Sequence, residues 1–535
     1  MDKRVALSLI ASLLLTAIPL SIVAEKSTIY LEHSNTLSFD QDRLPDCQIL
    51  TGDVQFRHEE ALMYCDSAHF YSKSNSLHAF SNVRMIQGDS IRIYGDKLYY
   101  DGNTKFARLR NNIKMENGQA TLFTDSFNYD RKTDIGYYFD HGTIVDDSNT
   151  LKSINGKYYS KSRIAIFQYN VSLENKDMRL QSDTLIYNTN THIANIVGPS
   201  EIFFDDAWIT SSNGWYDTDK EYSELYDRSL IQDYEKHNLT ADTINYNRMA
   251  GIAEGFSNVV MNDSVDKIVL TGGYSYYNEK VDSAYVIKLA TLIAYETEST
   301  DSTFVTADTL FYTKKDSVTY LKGYYNVQAW SPDFQGIADS VFYCTKDSIG
   351  RMFGTPVTWQ GKNQSTGDSI LVFSTNGEID RIETIGSAFM FMRNDTLYNQ
   401  ISGKKITCYI DSGELKKIFV DGNALSVYFA EEERDSTATP SDTVNYVGVN
   451  RSESSEMTIY VDENNKPKRI ILTPASSGTL YTPAQIGNKE ITRLKGLLDC
   501  FTLKPLDKFD IYNPKDKSKL KAAEEAKPKH RRKKR

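Results

Sequence analysis

Thr124-Asp125-Ser126-Phe127-Asn128-Tyr129 and Ser182-Asp183-Thr184-Leu185-Ile186-Tyr187 are one phrase: a small or polar residue, Asp, Ser or Thr, an apolar residue, any residue, an aromatic. It returns as Ala241-Asp242-Thr243-Ile244-Asn245-Tyr246, Ala307-Asp308-Thr309-Leu310-Phe311-Tyr312 and Ala338-Asp339-Ser340-Val341-Phe342-Tyr343. Degenerate copies fill the gaps, so the anchor positions fall at 66, 96, 125, 155, 183, 213, 242, 272, 308, 339, 368 and 404. The steps run from 28 to 31 residues, with two of 36. A period near 30 predicts a solenoid-like stack in which each unit buries its apolar face against its neighbours.

Each unit has a second half, an apolar strand holding Asn before an apolar residue, as in Ser81-Asn82-Val83, Asn111-Asn112-Ile113, Tyr169-Asn170-Val171, Ser257-Asn258-Val259 and Tyr325-Asn326-Val327. Asn tolerates the left-handed backbone needed where a strand bends from one sheet to the next. Each unit therefore reads as strand, turn, strand, bend, with Asp at the strand start in a turn- and strand-capping role. Residues two apart share a side of a strand, which puts Leu185 with Tyr187 and Phe127 with Tyr129. Val83 with Met85, Ile113 with Met115 and Val171 with Leu173 would face them across an apolar interior. With 35 tyrosines against 12 prolines and 12% aromatics, the usage is that of long strands, and the expected class is all-β.

A net charge of −10 conceals an asymmetry. Eleven Lys or Arg against three acids crowd the stretch from Lys515 to Arg535, leaving −18 on the rest. An acidic body repels phosphates along its length, which excludes a duplex-binding body, so no nucleic-acid partner is expected. The start of the chain has the parts of an export signal: Lys3 and Arg4, an apolar run from Val5 to Leu20, and Ile22-Val23-Ala24 before Glu25. The alternative is an uncleaved membrane anchor; no Cys stands near Ala24 to take a lipid. The five cysteines, Cys47, Cys65, Cys344, Cys408 and Cys500, form neither a disulfide framework nor a CxxC metal pattern. Cys47 and Cys65 could pair in an oxidising compartment, but strand and core thiols are the simpler reading.

Gly95-Asp96-Lys97-Leu98-Tyr99-Tyr100-Asp101, followed by Ala107-Arg108-Leu109 and Asn111-Asn112-Ile113, resembles the OstA-like (LptA) family of lipopolysaccharide transport periplasmic proteins through its OstA-like N-terminal domain. The resemblance covers Thr51 to Phe204 well and continues more loosely to about Leu472. It implies an open, V-shaped β-jellyroll whose apolar groove holds acyl chains while strand edges join protein to protein. Its implied partners are lipopolysaccharide or lipid A acyl chains and other jellyroll transport components, with head-to-tail self-association a further candidate. The implied role is periplasmic and non-enzymatic, with no cofactor and no metal. Ile91, Ile93, Leu98, Leu109, Ile113, Met115, Phe127, Leu173 and Leu185 are the expected groove residues; the plainer alternative for each is a closed core. The chain departs from the family in being much longer than a single unit and in carrying its basic tail, a candidate for contact with anionic lipid heads. The stretch after the last repeat is too short for an outer-membrane barrel.

The organisation expected is a signal at 1–24, a lead-in at 25–45, OstA-like repeats at 46–271 and further repeats at 272–430 that form a candidate second jellyroll. An acidic Ser/Thr-rich insertion at 431–455, a last repeat at 456–475, a C-terminal cap at 476–513 and a disordered basic tail at 514–535 follow. Within the cap, Leu494, Leu497 and Leu498 stand at helical spacing between Ile491 and Phe501.

Other chemistries have sequence hooks. Gly88-Asp89-Ser90-Ile91 and Gly367-Asp368-Ser369-Ile370 resemble the serine motif of GDSL hydrolases, but that motif needs a strand-to-helix turn and a later Asp-x-x-His. The sequence offers only Asp66-Ser67-Ala68-His69, upstream of both. His58, His78, His141, His192 and His237 stand singly without HExxH, and the recurrent Asp lacks a calcium-loop context. An exported parallel β-helix acting on polysaccharides, or a structural surface fibre, are the competing functional classes. Asp recurring at one phase in nearly every unit argues for architecture over a single active site.

Overall fold

In the first unit, the chain runs as long antiparallel strands because alternating apolar residues over ten or more positions give each strand one buried side. The computed structural model describes residues 27–497 except 235–236, 296–301, 376, 395–396, 433–444 and 464. The expected signal and basic tail lie outside the described residues. The chain divides into two compact units between His192 and Ile193. In the first, Gln48–His58, Ala61–Tyr71, Ser76–Gln87, Ile91–Asp101, Phe106–Asn117 and Ala120–Asp130 each pair antiparallel with the next. The second unit repeats the pattern from Ile193–Phe203 onward, and each of its strand pairings is antiparallel too. Antiparallel neighbours in chain order are incompatible with a parallel β-helix.

Midway along each long pair the register slips, for example between Phe80↔Lys97 and Val83↔Gly95. The slip is the bend. Ser81 (φ 63) with Asn82 (φ 49), Asn111 with Asn112, Tyr169 with Asn170, Ser257 with Asn258 and Tyr325 with Asn326 all take left-handed backbone. Such a pair turns the strand, so its two halves enter two facing leaves. The recurrent Asp stands opposite: Asn82 Nδ2 donates to Asp66 Oδ2 at 2.7 Å, Asn112 to Asp96 at 2.7 Å, Asn258 to Asp242 at 2.6 Å and Asn326 to Asp308 at 2.9 Å. The sequence reading placed this Asp at a strand start. Asp66, Asp96 and Asp125 are instead mid-strand, and Asp66 and Asp96 act as buttresses of the neighbouring strand's bend. The Asp-containing phrase and the second half are therefore portions of long bent strands.

The leaf that carries the aromatic end of the phrase is called here the tyrosine leaf. On the opposite leaf of the first unit, the inward row runs in register Met63, Met85, Ile93, Met115, Leu122, Ile144, Leu151, Leu173, Leu180. All are 4% exposed or less. On the tyrosine leaf the outermost inward row alternates large with small: Tyr100↔Ala107, Ala107↔Tyr129, Tyr129↔Gly136, Gly136↔Tyr158, Tyr158↔Ala165 and Ala165↔Tyr187. The second unit does the same through Tyr216↔Ser223, Ser223↔Tyr246, Tyr246↔Ala253, Ala253↔Tyr277, Tyr277↔Ala284 and Ala284↔Tyr312. A small residue between two phenols leaves each ring room to lie inward at interior packing density.

Three local features bear on the expected organisation. The long step after position 272 holds the short 3-10 turn Glu279–Val281 and two lengthened strands, Ser283–Tyr295 and Ser302–Lys315. The strand Tyr446–Val461 takes in residues that the sequence assigned to the acidic insertion. In the cap, the helix is four residues, Lys489–Thr492, because Gln400 takes over the backbone beyond it, donating to Thr492 O and accepting from Leu494 N. Leu494 and Leu497 still cover the core, packed with Phe389, Phe391, Val427, Phe429 and Val449; Leu498 lies outside the described residues. Cys47, Cys65, Cys344 and Cys408 are free and buried, and burial pushes the Cys65 and Cys408 thiols up to about 12.

Candidate binding interior and its mouth

Both leaves of the first unit contribute to the expected groove. Leu98, Leu109, Phe127 and Leu185 are inward residues of the tyrosine leaf, with Leu98↔Leu109 and Leu109↔Phe127 in register. Ile91, Ile93, Ile113, Met115 and Leu173 belong to the opposite leaf, where Ile93 pairs with Met115. All nine are 7% exposed or less, so in this state they line a filled apolar interior and not an open trough.

One side of that interior is the row of bends, closed by backbone. The other side is a mouth where the free ends of the two leaves meet, closed by side chains. Tyr100 OH lies 2.6 Å from His58 Nδ1 at the end of the opposite leaf. Arg131, from the adjoining turn of the tyrosine leaf, donates to Tyr100 OH at 2.6 Å, to Gln87 Oε1 at 2.5 Å and to the His58 carbonyl at 3.3 Å. Asn117 Nδ2 donates to Tyr158 OH at 3.1 Å, and Arg163 donates to the Asn117 carbonyl at 2.9 Å. Tyr187 OH donates to Asp146 Oδ2 at 3.1 Å and accepts from Asn149 Nδ2 at 3.2 Å. Tyr129 bonds within its own leaf, to Asp134 at 3.0 Å.

Burial sets the electrostatics of this seam. It pushes Tyr100 up to about 12 and, together with the Arg131 charge, holds His58 below the ordinary imidazole value. The neutral ring can then accept or donate toward the phenol while the guanidinium supplies the charge. A phenol suits the position because its ring belongs to the interior and its hydroxyl to the rim.

In the second unit two bridges across the mouth flank a gap. Arg248 NH1 donates to Asp206 Oδ1 at 2.7 Å on one side. On the other, Tyr312 OH donates to Asp263 Oδ2 at 2.9 Å, while Lys314 reaches Asp266 at 3.2 Å. Between them Tyr246 and Tyr277 find no partner on the opposite leaf, and a cavity of about 80 Å³ opens. Asp233, His237, Asp263, Glu279 and Asp282 rim it, above an apolar floor that includes Leu239, Ile268 and Leu270. His237 Nδ1 is 2.7 Å from Asp233 Oδ2, a bond that raises its pKa, and burial holds Asp282 above the usual carboxylate range.

The sequence reading found the apolar interior but not the mouth. The signal was present: Ala107, Gly136, Ala165, Ala194, Ser223, Ala253 and Ala284 recur at steps of 29 to 31, marking the small half of the tyrosine row. The GDSL-like Ser90 lies in the hairpin turn before Ile91–Asp101, and His69 packs edge-on against Phe80. Among the described residues no three His, Cys, Asp or Glu side chains converge as a metal ion requires. No helix among them is long and apolar enough to cross a membrane.

One protein family and one solved structure show similarity to the chain. The family described as OstA-like protein matches residues 26–183. A solved structure described as LptH, the LptA homologous periplasmic component of the conserved lipopolysaccharide transport device from Pseudomonas aeruginosa, shares 13% identity. It covers 28% of this chain and 94% of its own, with a TM-score of 0.21. No curated protein matches the chain. Residues 26–183, the stretch that matches the OstA-like family, carry the first bends, the buried Met and Leu rows and the first tyrosine bridges.

Proposed function

We propose that this chain is a periplasmic carrier in lipopolysaccharide transport to the outer membrane, holding acyl chains between its two leaves. The observation that carries the reading is the construction of the interior: two inward apolar rows, closed by backbone along the bends and by side-chain bridges alone along the mouth. Magnitudes favour loading by that route. Ten methylenes moved from water into the interior gain roughly 8 kcal/mol before ordering costs. Each mouth bridge contributes on the order of 1 kcal/mol net, so parting two or three costs less than the chain gains. Repeats of similar composition make successive positions nearly equal in energy, which suits passage along the stack. The OstA-like match over 26–183 supports the same reading. Exposed Tyr30, Leu37 and Phe39 at the N-terminal strands, and Leu480 and Ile470 at the C-terminal ones, are where further jellyroll components would add.

The test is photocrosslinking from Leu98, Ile113 and Leu185, with Lys97 as the outward-facing control on the same strand. Crosslinks to lipopolysaccharide from the three interior positions, competed by excess lipid and absent from Lys97, are expected. Equal labelling from Lys97, or labelling by the delipidated sugar alone, would return these residues to the role of a closed core.

A further inference from the structure

We infer that the gap in the tyrosine row of the second unit is a receptor for a primary ammonium group borne on an apolar chain. The inference rests on the carrier reading and adds the head-group chemistry to it. Four carboxylates, Asp233, Asp263, Glu279 and Asp282, rim the cavity, against one imidazole, His237. The other cations nearby have partners: Arg248 is paired with Asp206 at 2.7 Å and Lys314 with Asp266 at 3.2 Å, while Lys280 Nζ donates to the Met249 carbonyl at 2.9 Å, so the carboxylates still outnumber the cations left to them. An anionic head is therefore repelled, and a cationic one finds unmatched charge.

Independent of the acids is Tyr246. It is 3% exposed, lines the cavity, and its hydroxyl makes no hydrogen bond. Arg248 stands near enough to favour the phenolate against burial, but not in bonding geometry. A buried hydroxyl without a partner is costly, and an ammonium N–H supplies the donor it lacks. The rings of Tyr246, Tyr277 and Tyr312 add aromatic faces to which a cation is attracted. Spherical metal ions are disfavoured because the carboxylates do not converge. Below the rim the apolar floor continues with Met261 and Ala284 toward the interior, so the group that fits carries methylenes behind its charge. Where Tyr100, Tyr158 and Tyr187 bridge the mouth of the first unit, Tyr246 and Tyr277 leave this gap free to receive a head.

The experiment measures binding of dodecylamine, dodecanol and butylamine to the chain from Glu25 to Arg535 by calorimetry. Dodecylamine is expected to bind at least tenfold more tightly than dodecanol, and butylamine more weakly still. Glu279→Gln, at the exposed rim, and Asp282→Asn should each cut dodecylamine affinity several-fold while leaving dodecanol unchanged. Because Glu279 is exposed, its variant keeps the fold, which a thermal melt verifies. Equal binding of amine and alcohol, or an amine preference that survives both substitutions, overturns the proposal. Butylamine binding as well as dodecylamine overturns the apolar-chain component. Loss of crosslinking at Leu98, Ile113 and Leu185 with the amine preference intact would instead remove the carrier reading and leave the ammonium site standing.

Discussion

His58 is held between a phenol and a guanidinium, fully buried, and the two units are expected to answer pH in opposite directions because of it and His237. Burial and then Arg131 lower the folded pKa of His58 below 6.5. The unfolded chain therefore binds the proton first, and stability falls as pH drops through 6.5 toward the folded value. His237 is raised by its bond to Asp233, so its contribution is full below 6.5 and is lost as pH climbs through its folded pKa. Thermal melts between pH 5.5 and 8 should show the first unit losing stability on acidification, and His58→Gln should flatten that slope. Tyr158→Phe removes the hydroxyl that meets buried Asn117 and should cost about 1–2 kcal/mol in chemical denaturation. The same substitution should quicken loading of lipid, since the bridge has to part for entry.

At the scale of a strand pair, the bend and the large-small row are separable. Asn112 combines a left-handed φ of 50 with a bond to Asp96. Asn112→Ala loses both and is expected to cost on the order of 2 kcal/mol, whereas Asn112→Gly keeps the backbone and should cost about half as much. Ala107→Leu forces a branched side chain between Tyr100 and Tyr129 and should cost roughly 1–3 kcal/mol through overpacking. Both are read from denaturation midpoints. The bends were legible in the sequence because Asn before an apolar residue is a local signal. The buttressing role of Asp96 was not, since its partner stands 16 residues away across a slip in register. The mouth was illegible for a stronger version of that reason: Tyr100 meets His58 across 42 residues and Tyr158 meets Asn117 across 41, about one and a half repeats, so neither pair shares a phrase. The cap helix was overread because leucines three and four apart mark a helix face, yet Leu494 and Leu497 reach the same core from a turn anchored by Gln400.

Across the whole molecule, contacts are made chiefly by strands close in sequence, and the chain parts into two compact units. Stacks of this kind store stability as a sum of nearest-neighbour terms, and cooperativity does not extend over the full length. Phe127→Ala, which removes a fully buried ring worth roughly 3–5 kcal/mol, should lower hydrogen-exchange protection in Phe106–Asn117 and Ala120–Asp130. Protection in Leu397–Asp411 and Glu414–Glu431 should stay as it was. A uniform loss along the chain would show instead that the units melt as one body. The recurrence of the bend and of the inward row was legible in the spacing, because both return from one strand pair to the next. Where the compact units part was not, because no phrase changes at His192. The regular slip of register has one more consequence. Each repeat of about thirty residues lays down two strands and so advances its unit by about 10 Å along the stacking direction. Within a unit the chain is thus a molecular ruler graduated in hairpins, and adding or deleting one hairpin would change how far it reaches while leaving its cross-section as it is.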